Sequence, residues 1–255
     1  MYEYSIEGGH PISGTVKASG NKNAALPCIA AALLTKETVT LRNIPDIEDT
    51  RVMLEILKAL GVTVENCGDH VWKITAAQVN RSDIPSEYTK KIRASILFAG
   101  PLVARMGKAA MLPPGGDVIG RRRVDTHFLA LTELGARVAV TNKFEFSANK
   151  LVGKEIFLDE ASVTATENAV MAAVLAEGRT ELTNCASEPH VQDLCNMLNS
   201  MGAKISGIGS NIITIDGVKK LGGTDFSIGP DFMEIGSFIG LAAATKGSIK
   251  ITGVN

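Results

Sequence analysis

The residues best suited to chemistry fall together in Leu112-Pro113-Pro114-Gly115-Gly116-Asp117-Val118-Ile119-Gly120-Arg121-Arg122-Arg123. A Pro pair followed by a Gly pair cannot continue a helix or an inner strand, so the segment reads as a loop. Glycines let backbone approach a ligand or let the loop move. Asp117 offers a carboxyl group for proton transfer, and the arginines offer planar, bidentate contact with phosphate or carboxylate. Such a loop can close over a phosphate-bearing substrate. By residue type alone it also reads as a solvated surface loop. A second candidate is Lys22, set between Asn21 and Asn23 ahead of an apolar helical run. Asn caps helix starts, and a helix N-terminus beside a Lys is a ready anion site. The plain alternative is an ordinary capped helix with a solvated Lys.

These residues must be positioned by a repeated unit. In the helix ending at Gly61, Met53, Ile56, Leu57 and Leu60 follow the i, i+3, i+4, i+7 spacing of one buried face. Leu194, Met197, Leu198 and Met201 repeat it before Gly202, and His127, Ala130, Leu131 and Leu134 repeat it before Gly135. Each glycine suits the left-handed position after a helix. Periods this long predict stacked supersecondary units, each reading helix, strand, loop, helix, strand. His127 therefore stands where the other units carry Met53 and Leu194. A lone His on an apolar face is usually a hydrogen-bonded core residue, but its place beside Asp125 and one turn after the loop also suits a site. A fourth unit begins at Asp231, and Leu241–Ile251 resembles the stretch around Leu33. The part-unit up to Asn255 leads to the expectation of a fragment, or of one partner in a larger assembly. Arg93 lies in Lys91–Leu97, read as a helix, and Tyr2–Ile6 reads as a strand.

Composition narrows the classes. A net charge of −1 implies no nucleic-acid surface. No apolar run approaches the ~20 residues of a membrane span. Cys28, Cys67, Cys185 and Cys195 lack C-x-x-C spacing, so neither zinc nor any other metal is expected, and scattered cysteines suit a reducing cytoplasm.

The run Pro113–His127 resembles the loop P-P-G-G-C-x-I-G-x-R-P-V-D-x-H of the UDP-N-acetylglucosamine 1-carboxyvinyltransferases, the enolpyruvyl transferases of peptidoglycan precursor synthesis. Ser19-Gly20-Asn21-Lys22-Asn23-Ala24-Ala25-Leu26-Pro27 resembles that family's S-G-x-K-N-A-A-L-P. Ser162–Asn168 and Pro230–Glu234 are further matches, in the family's order from end to end. The resemblance implies an inside-out α/β barrel of repeated helix-strand units with pseudo-threefold symmetry. It implies one complete three-unit domain over residues 22–229. Residues 1–21 and 230–255 would belong to an incomplete second domain, through which self-association is expected.

The reaction so implied transfers the enolpyruvyl group of phosphoenolpyruvate to the 3-hydroxyl of UDP-N-acetylglucosamine, with release of phosphate and no cofactor. By resemblance, Lys22 meets phosphoenolpyruvate and Asn23 the sugar, and Asp117 is the proton-transferring loop residue. Arg93 reaches the substrate cleft. Arg122, Val124, Asp125 and His127 belong to the nucleotide-sugar subsite. Ser162, Val163 and Thr164 lie near the diphosphate, and Asp231 and Glu234 at a domain junction. For the last two, carboxylate capping of a helix is a sufficient alternative. Three residues depart from the pattern: Asp117 stands for the usual cysteine, Arg123 for proline and Thr164 for glycine. The cysteine's absence implies fosfomycin resistance, since a carboxylate is a weaker nucleophile than a thiolate. Two alternatives stand beside this reading. One is the shikimate-pathway enolpyruvyl transferase, against which the Asn21-Lys22-Asn23 turn argues. The other is a non-catalytic nucleotide-sugar-binding or scaffold fragment of the same fold.

Overall fold

The computed structural model describes residues 3–115 and 123–254. After β1 (Ser13–Lys17), the first unit runs α1 (Lys22–Ala31), β2 (Thr38–Arg42), α2 (Glu48–Ala59), β3 (Thr63–Asn66) and β4 (Trp72–Thr75). The second has a short α3 (Ser86–Thr89), then a 3-10 helix, Arg93–Phe98, that runs into α4 (Ala99–Met106). It continues with β5 (Lys108–Met111), α5 (Asp125–Glu133), β6 (Arg137–Val140) and β7 (Phe144–Ser147). The third comprises β8 (Glu155–Phe157), α6 (Val163–Ala173), β9 (Arg179–Thr183), α7 (Pro189–Ser200), β10 (Lys204–Ser206) and β11 (Ile212–Asp216). β12 (Thr224–Ser227), α8 (Phe232–Thr245) and β13 (Ser248–Thr252) follow.

The three expected copies are present. Gly61, Gly135 and Gly202 take φ of 94°, 100° and 99°, so each second helix ends on the same left-handed residue. The predicted faces of α2, α5 and α7 are buried along their length, His127 included. Each fully buried Leu, Ile or Met there contributes about 1.5–3 kcal/mol. The first helices are buried more completely: Ala24–Ala31 of α1 and Ala165–Ala173 of α6 are inaccessible on every side. Small residues allow this close packing. At Gly100 of α4 a Cβ would lie 2.5 Å from the Asn168 carbonyl oxygen of α6, so glycine is what lets these two helices meet.

The strands lie in separate sheets, ordered β12-β2-β4-β3, β5-β7-β6 and β10-β11-β9-β8, with β1 and β13 as a parallel pair apart. In each sheet an antiparallel hairpin docks on the strand between the unit's two helices, with Val39 opposite Ile74 in the first. A parallel strand covers the other edge: β8 beside β9, and β12 beside β2, which joins the end of the third unit to the first. The second unit has only a parallel bridge there, Asp83 to Ala110. Among the described residues no single doubly wound sheet forms.

Three local expectations are corrected. Each unit ends in two strands rather than one, because β4, β7 and β11 fold back on the first strand of the hairpin. Residues 3–6 form no strand; Tyr4 and Ile6 are exposed and pair with nothing, and β1 begins at Ser13. The helix read over Lys91–Leu97 starts only at Arg93, as a 3-10 turn, because Ile92 is extended and its carbonyl accepts from the Ser95 hydroxyl at 2.8 Å.

Candidate functional site

The start of α6 forms one side of the site. Ser162 is extended and caps the helix, its Oγ accepting from the Ala165 N–H at 3.4 Å. Val163 and Thr164 occupy the first turn, where backbone N–H groups point outward. Opposite, the Arg93 guanidinium donates to the Arg123 carbonyl at 2.8 Å. The Arg123 Nε donates to Asp125 Oδ2 at 2.7 Å, which keeps the guanidinium fully charged. Arg93, Arg123, Glu160, Ser162, Val163 and Thr164 line a cleft of about 420 Å³. Arg93, Arg123 and the helix N-terminus suit it to an anion, set against the Glu160 carboxylate in its lining and against Asp125 and Asp159, which pair with Arg123 at 2.7 and 3.9 Å.

His127 lies behind this cleft. It is buried and bonded at both ring nitrogens, to Asn168 Nδ2 at 2.9 Å and to Thr164 Oγ1 at 3.1 Å. Burial, with the Arg93 charge nearby, pulls its pKa down to about 3, so the ring is neutral at physiological pH. It is thus a hydrogen-bonded core residue, and among the described residues it meets the cleft only through its bond to Thr164. Val124 is half-buried at the N-cap of α5 and packs on the core.

The other nominated residues gather at the ends of α1 and α8. Asn21 caps α1 as expected, its Oδ1 accepting from the Ala24 N–H at 3.0 Å. Lys22, at the first helical position, pairs with Asp49 of α2. The side chain of Asn23 has no hydrogen-bond partner among the described residues. Asp231 caps α8 by accepting from the N–H groups of Met233 and Glu234, at 2.9 and 3.1 Å. Glu234 accepts from the Ser19 N–H at 2.7 Å and from its hydroxyl at 3.2 Å. Lys22, Asp231 and Glu234 share a cleft of about 510 Å³ with Ser19, Gly20 and His70. Arg93, Ser162, Val163 and Thr164 thus line one cleft and Lys22, Asp231 and Glu234 another, while Asn23, Val124, Asp125 and His127 line neither of the two. Asp117 and Arg122 lie outside the described residues; Gly115, at the loop's stem, is anchored by its N–H to the Thr89 carbonyl at 2.7 Å.

A larger cavity, about 760 Å³, contains none of the nominated residues. Its Arg105 is already committed to the carbonyls of Leu33 and Thr35, at 2.6 and 2.7 Å, where it caps a helix end. Among the described residues no group of three His, Cys, Asp or Glu side chains could hold a metal. None of their helices is long and apolar enough to cross a membrane.

Sequence reasoning missed Asp49 and Asp159, which hold Lys22 and Thr126 respectively. It also gave no role to Asn168. The available signal was spacing: Asn168 lies four residues after Thr164, on the same face of one helix.

The sequence pattern of EPSP synthase (3-phosphoshikimate 1-carboxyvinyltransferase) matches residues 6–255. The chain is 67% identical over 254 residues to the UDP-N-acetylglucosamine 1-carboxyvinyltransferase of Treponema denticola, covering 100% of this chain and 60% of that protein. It is 62% identical over 252 residues to the protein of the same name from Treponema pallidum, covering 99% and 59%. The chain therefore spans about 60% of the length of these relatives. Among solved structures, the enolpyruvyl transferase NikO from Streptomyces tendae superposes with a TM-score of 0.79 at 26% identity, over 92% of this chain and 56% of that one. The repeated units, their sheet order and the end-to-end sequence match lead to one conclusion: this chain belongs to the EPSP synthase family of carboxyvinyl transferases.

Proposed function

We propose that this chain serves the transfer of the enolpyruvyl group of phosphoenolpyruvate to the 3-hydroxyl of UDP-N-acetylglucosamine, the entry into peptidoglycan synthesis and so a contributor to cell shape and division. The 67% identity to a transferase of that name, sustained over 254 residues, is the observation that carries this reading. The shikimate-pathway alternative lacks comparable support, and the Asn21-Lys22-Asn23 turn continues to argue against it.

On this reading the Arg93 and Thr164 cleft takes the diphosphate, with Arg122, Val124, Asp125, Ser162 and Val163 completing the nucleotide-sugar subsite. His127 contributes from behind, and Asn23 offers its unpartnered amide to the sugar. Lys22 serves phosphoenolpyruvate, for which it must exchange Asp49 for the substrate's anionic groups. The sugar 3-hydroxyl oxygen attacks C2 and gives up its proton as C3 gains one. The tetrahedral adduct then loses phosphate together with a proton from C3, which restores the C2–C3 double bond. Asp117 is the proposed acid; a free Asp titrates near ~3.9, so it must be desolvated to hold a proton at neutral pH. Residues 22–229 then form one domain, and residues 1–21 with 230–255 contribute to a second, through which copies associate. The unpaired state of all four cysteines, exposed Cys67 included, supports a cytoplasmic location.

Calorimetric titration tests the ligand assignment. UDP-N-acetylglucosamine should bind the chain and shikimate 3-phosphate should not; the reverse preference would overturn the proposal. This 255-residue chain, which spans about 60% of its relatives, should bind the nucleotide sugar without turning it over. In a full-length version with Asp at position 117, fosfomycin should leave the transferase active, and Asp117→Cys should make it sensitive.

A further inference from the structure

The hydrogen-bond chain behind the anion cleft has a determined direction. Asn168 Oδ1 accepts from the Gly100 N–H at 2.8 Å, and its Nδ2 donates to the Ile96 carbonyl at 2.8 Å. Reversing the amide would set NH₂ against N–H and oxygen against carbonyl in a buried site, where mismatched polar groups are most costly. The amide is therefore held as drawn, and its second N–H points at His127 Nδ1, 2.9 Å away. That nitrogen must present its lone pair, so the proton of the neutral ring sits on Nε2. Nε2–H in turn donates to Thr164 Oγ1 at 3.1 Å.

The consequence falls on Thr164. Its oxygen is occupied as an acceptor from behind, and its own proton is left to donate elsewhere. Among the described residues it has no acceptor, not even the Glu160 carboxylate that lines the same cleft. The other groups facing this space, Arg93, Arg123 and the first turn of α6, are donors as well. An anionic ligand would give the Thr164 hydroxyl the acceptor that Glu160, the cleft's own carboxylate, does not provide.

We propose that Asn168 and His127 are positioning residues that commit the Thr164 hydroxyl to donate a hydrogen bond to a diphosphate oxygen of the nucleotide sugar. This rests on the nucleotide-sugar reading above and adds to it a three-residue device, Asn168 to His127 to Thr164, ending at a position where the resembling family carries glycine. The device presets the donor before the ligand arrives, so no reorientation accompanies binding.

Two measurements on the 255-residue chain test it. Nitrogen-15 spectra of the imidazole at neutral pH should show Nδ1 unprotonated and Nε2 protonated. The Nε2 proton should move downfield when UDP is added, in the unsubstituted chain and in Thr164→Ser. A protonated Nδ1, or an Nε2 signal that UDP leaves unmoved, would overturn the proposal. Calorimetry with UDP and with UDP-N-acetylglucosamine supplies the second. Loss of one hydrogen bond to a charged group should weaken binding roughly 10- to 100-fold in Thr164→Val, whereas Thr164→Ser should stay close to the unsubstituted affinity. Equal affinity in Thr164→Val would refute the role of the hydroxyl while leaving the ligand assignment standing. If the unsubstituted chain binds neither probe, the ligand assignment fails and takes the role of Thr164 with it.

Discussion

Helices α6 and α8 hold the same place in the repeat, yet their surroundings differ completely. Each begins at a capping side chain, Ser162 or Asp231, and each leads into a strand, β9 or β13. Ala165–Ala173 of α6 are all buried between α4, α5 and α7, whereas α8 has no buried residue and leaves Met233 and Ile239 about 60% exposed. Both segments are helical, and in this chain, which spans about 60% of its relatives, the packing around them sets how much each contributes to stability. The device that ends at Thr164 is built on the buried helix. Asp231 and Glu234 belong to the exposed one and bond mainly to its own start and to Ser19.

The largest contrast should come from trimming matched methionines. Met171→Ala in α6 should lower stability by about 2–5 kcal/mol, and Met233→Ala in α8 by no more than about 0.5 kcal/mol, read from urea midpoints. Similar losses at both would erase the distinction. Glycines should separate the helices next. Gly100→Ala forces a Cβ against α6 and should cost about 1–3 kcal/mol. Gly236→Ala meets nothing within 4 Å and should raise helix stability by up to about 1 kcal/mol.

Acid should act through the buried helix pair as well. An unfolded His binds a proton below about 6.5, while His127 stays neutral down to about 3. The unfolded state then holds more protons, so this group's contribution to stability is full above the unfolded value and falls as pH drops. Between pH 7 and pH 5 the loss is about 2 kcal/mol. Glu167, also buried, has its pKa raised by desolvation and acts with the opposite sign. The readout is therefore the difference between the unsubstituted chain and His127→Gln, which should narrow as pH falls. A constant difference would mean that His127 is not held neutral.

Much of this contrast was legible in the chain itself. The three helix-ending glycines and the faces containing Met53, Leu194 and Ala130 follow from helical periodicity and left-handed capping, both local properties. The Asn21 cap is equally local. The pairing of β12 with β2 is not: it joins Thr224 to Val39 across most of the chain, and only docking of whole units brings them together. The same holds for the return strands β4, β7 and β11, and for the Lys22 pairing with Asp49. His127 could be placed on a buried face from spacing alone. Its bonding to Asn168, 41 residues away, depends on how α5 packs against α6, so its tautomer was beyond sequence reasoning.

The central claim, that the start of buried α6 is where the nucleotide diphosphate binds, is tested most directly by a crystal structure of the chain soaked with UDP-N-acetylglucosamine. The diphosphate should lie between Arg93 and the first turn of α6, with an oxygen within hydrogen-bond reach of Thr164 Oγ1. A diphosphate seated instead against Lys22 and Ser19, in the cleft shared with the exposed helix, would contradict the account.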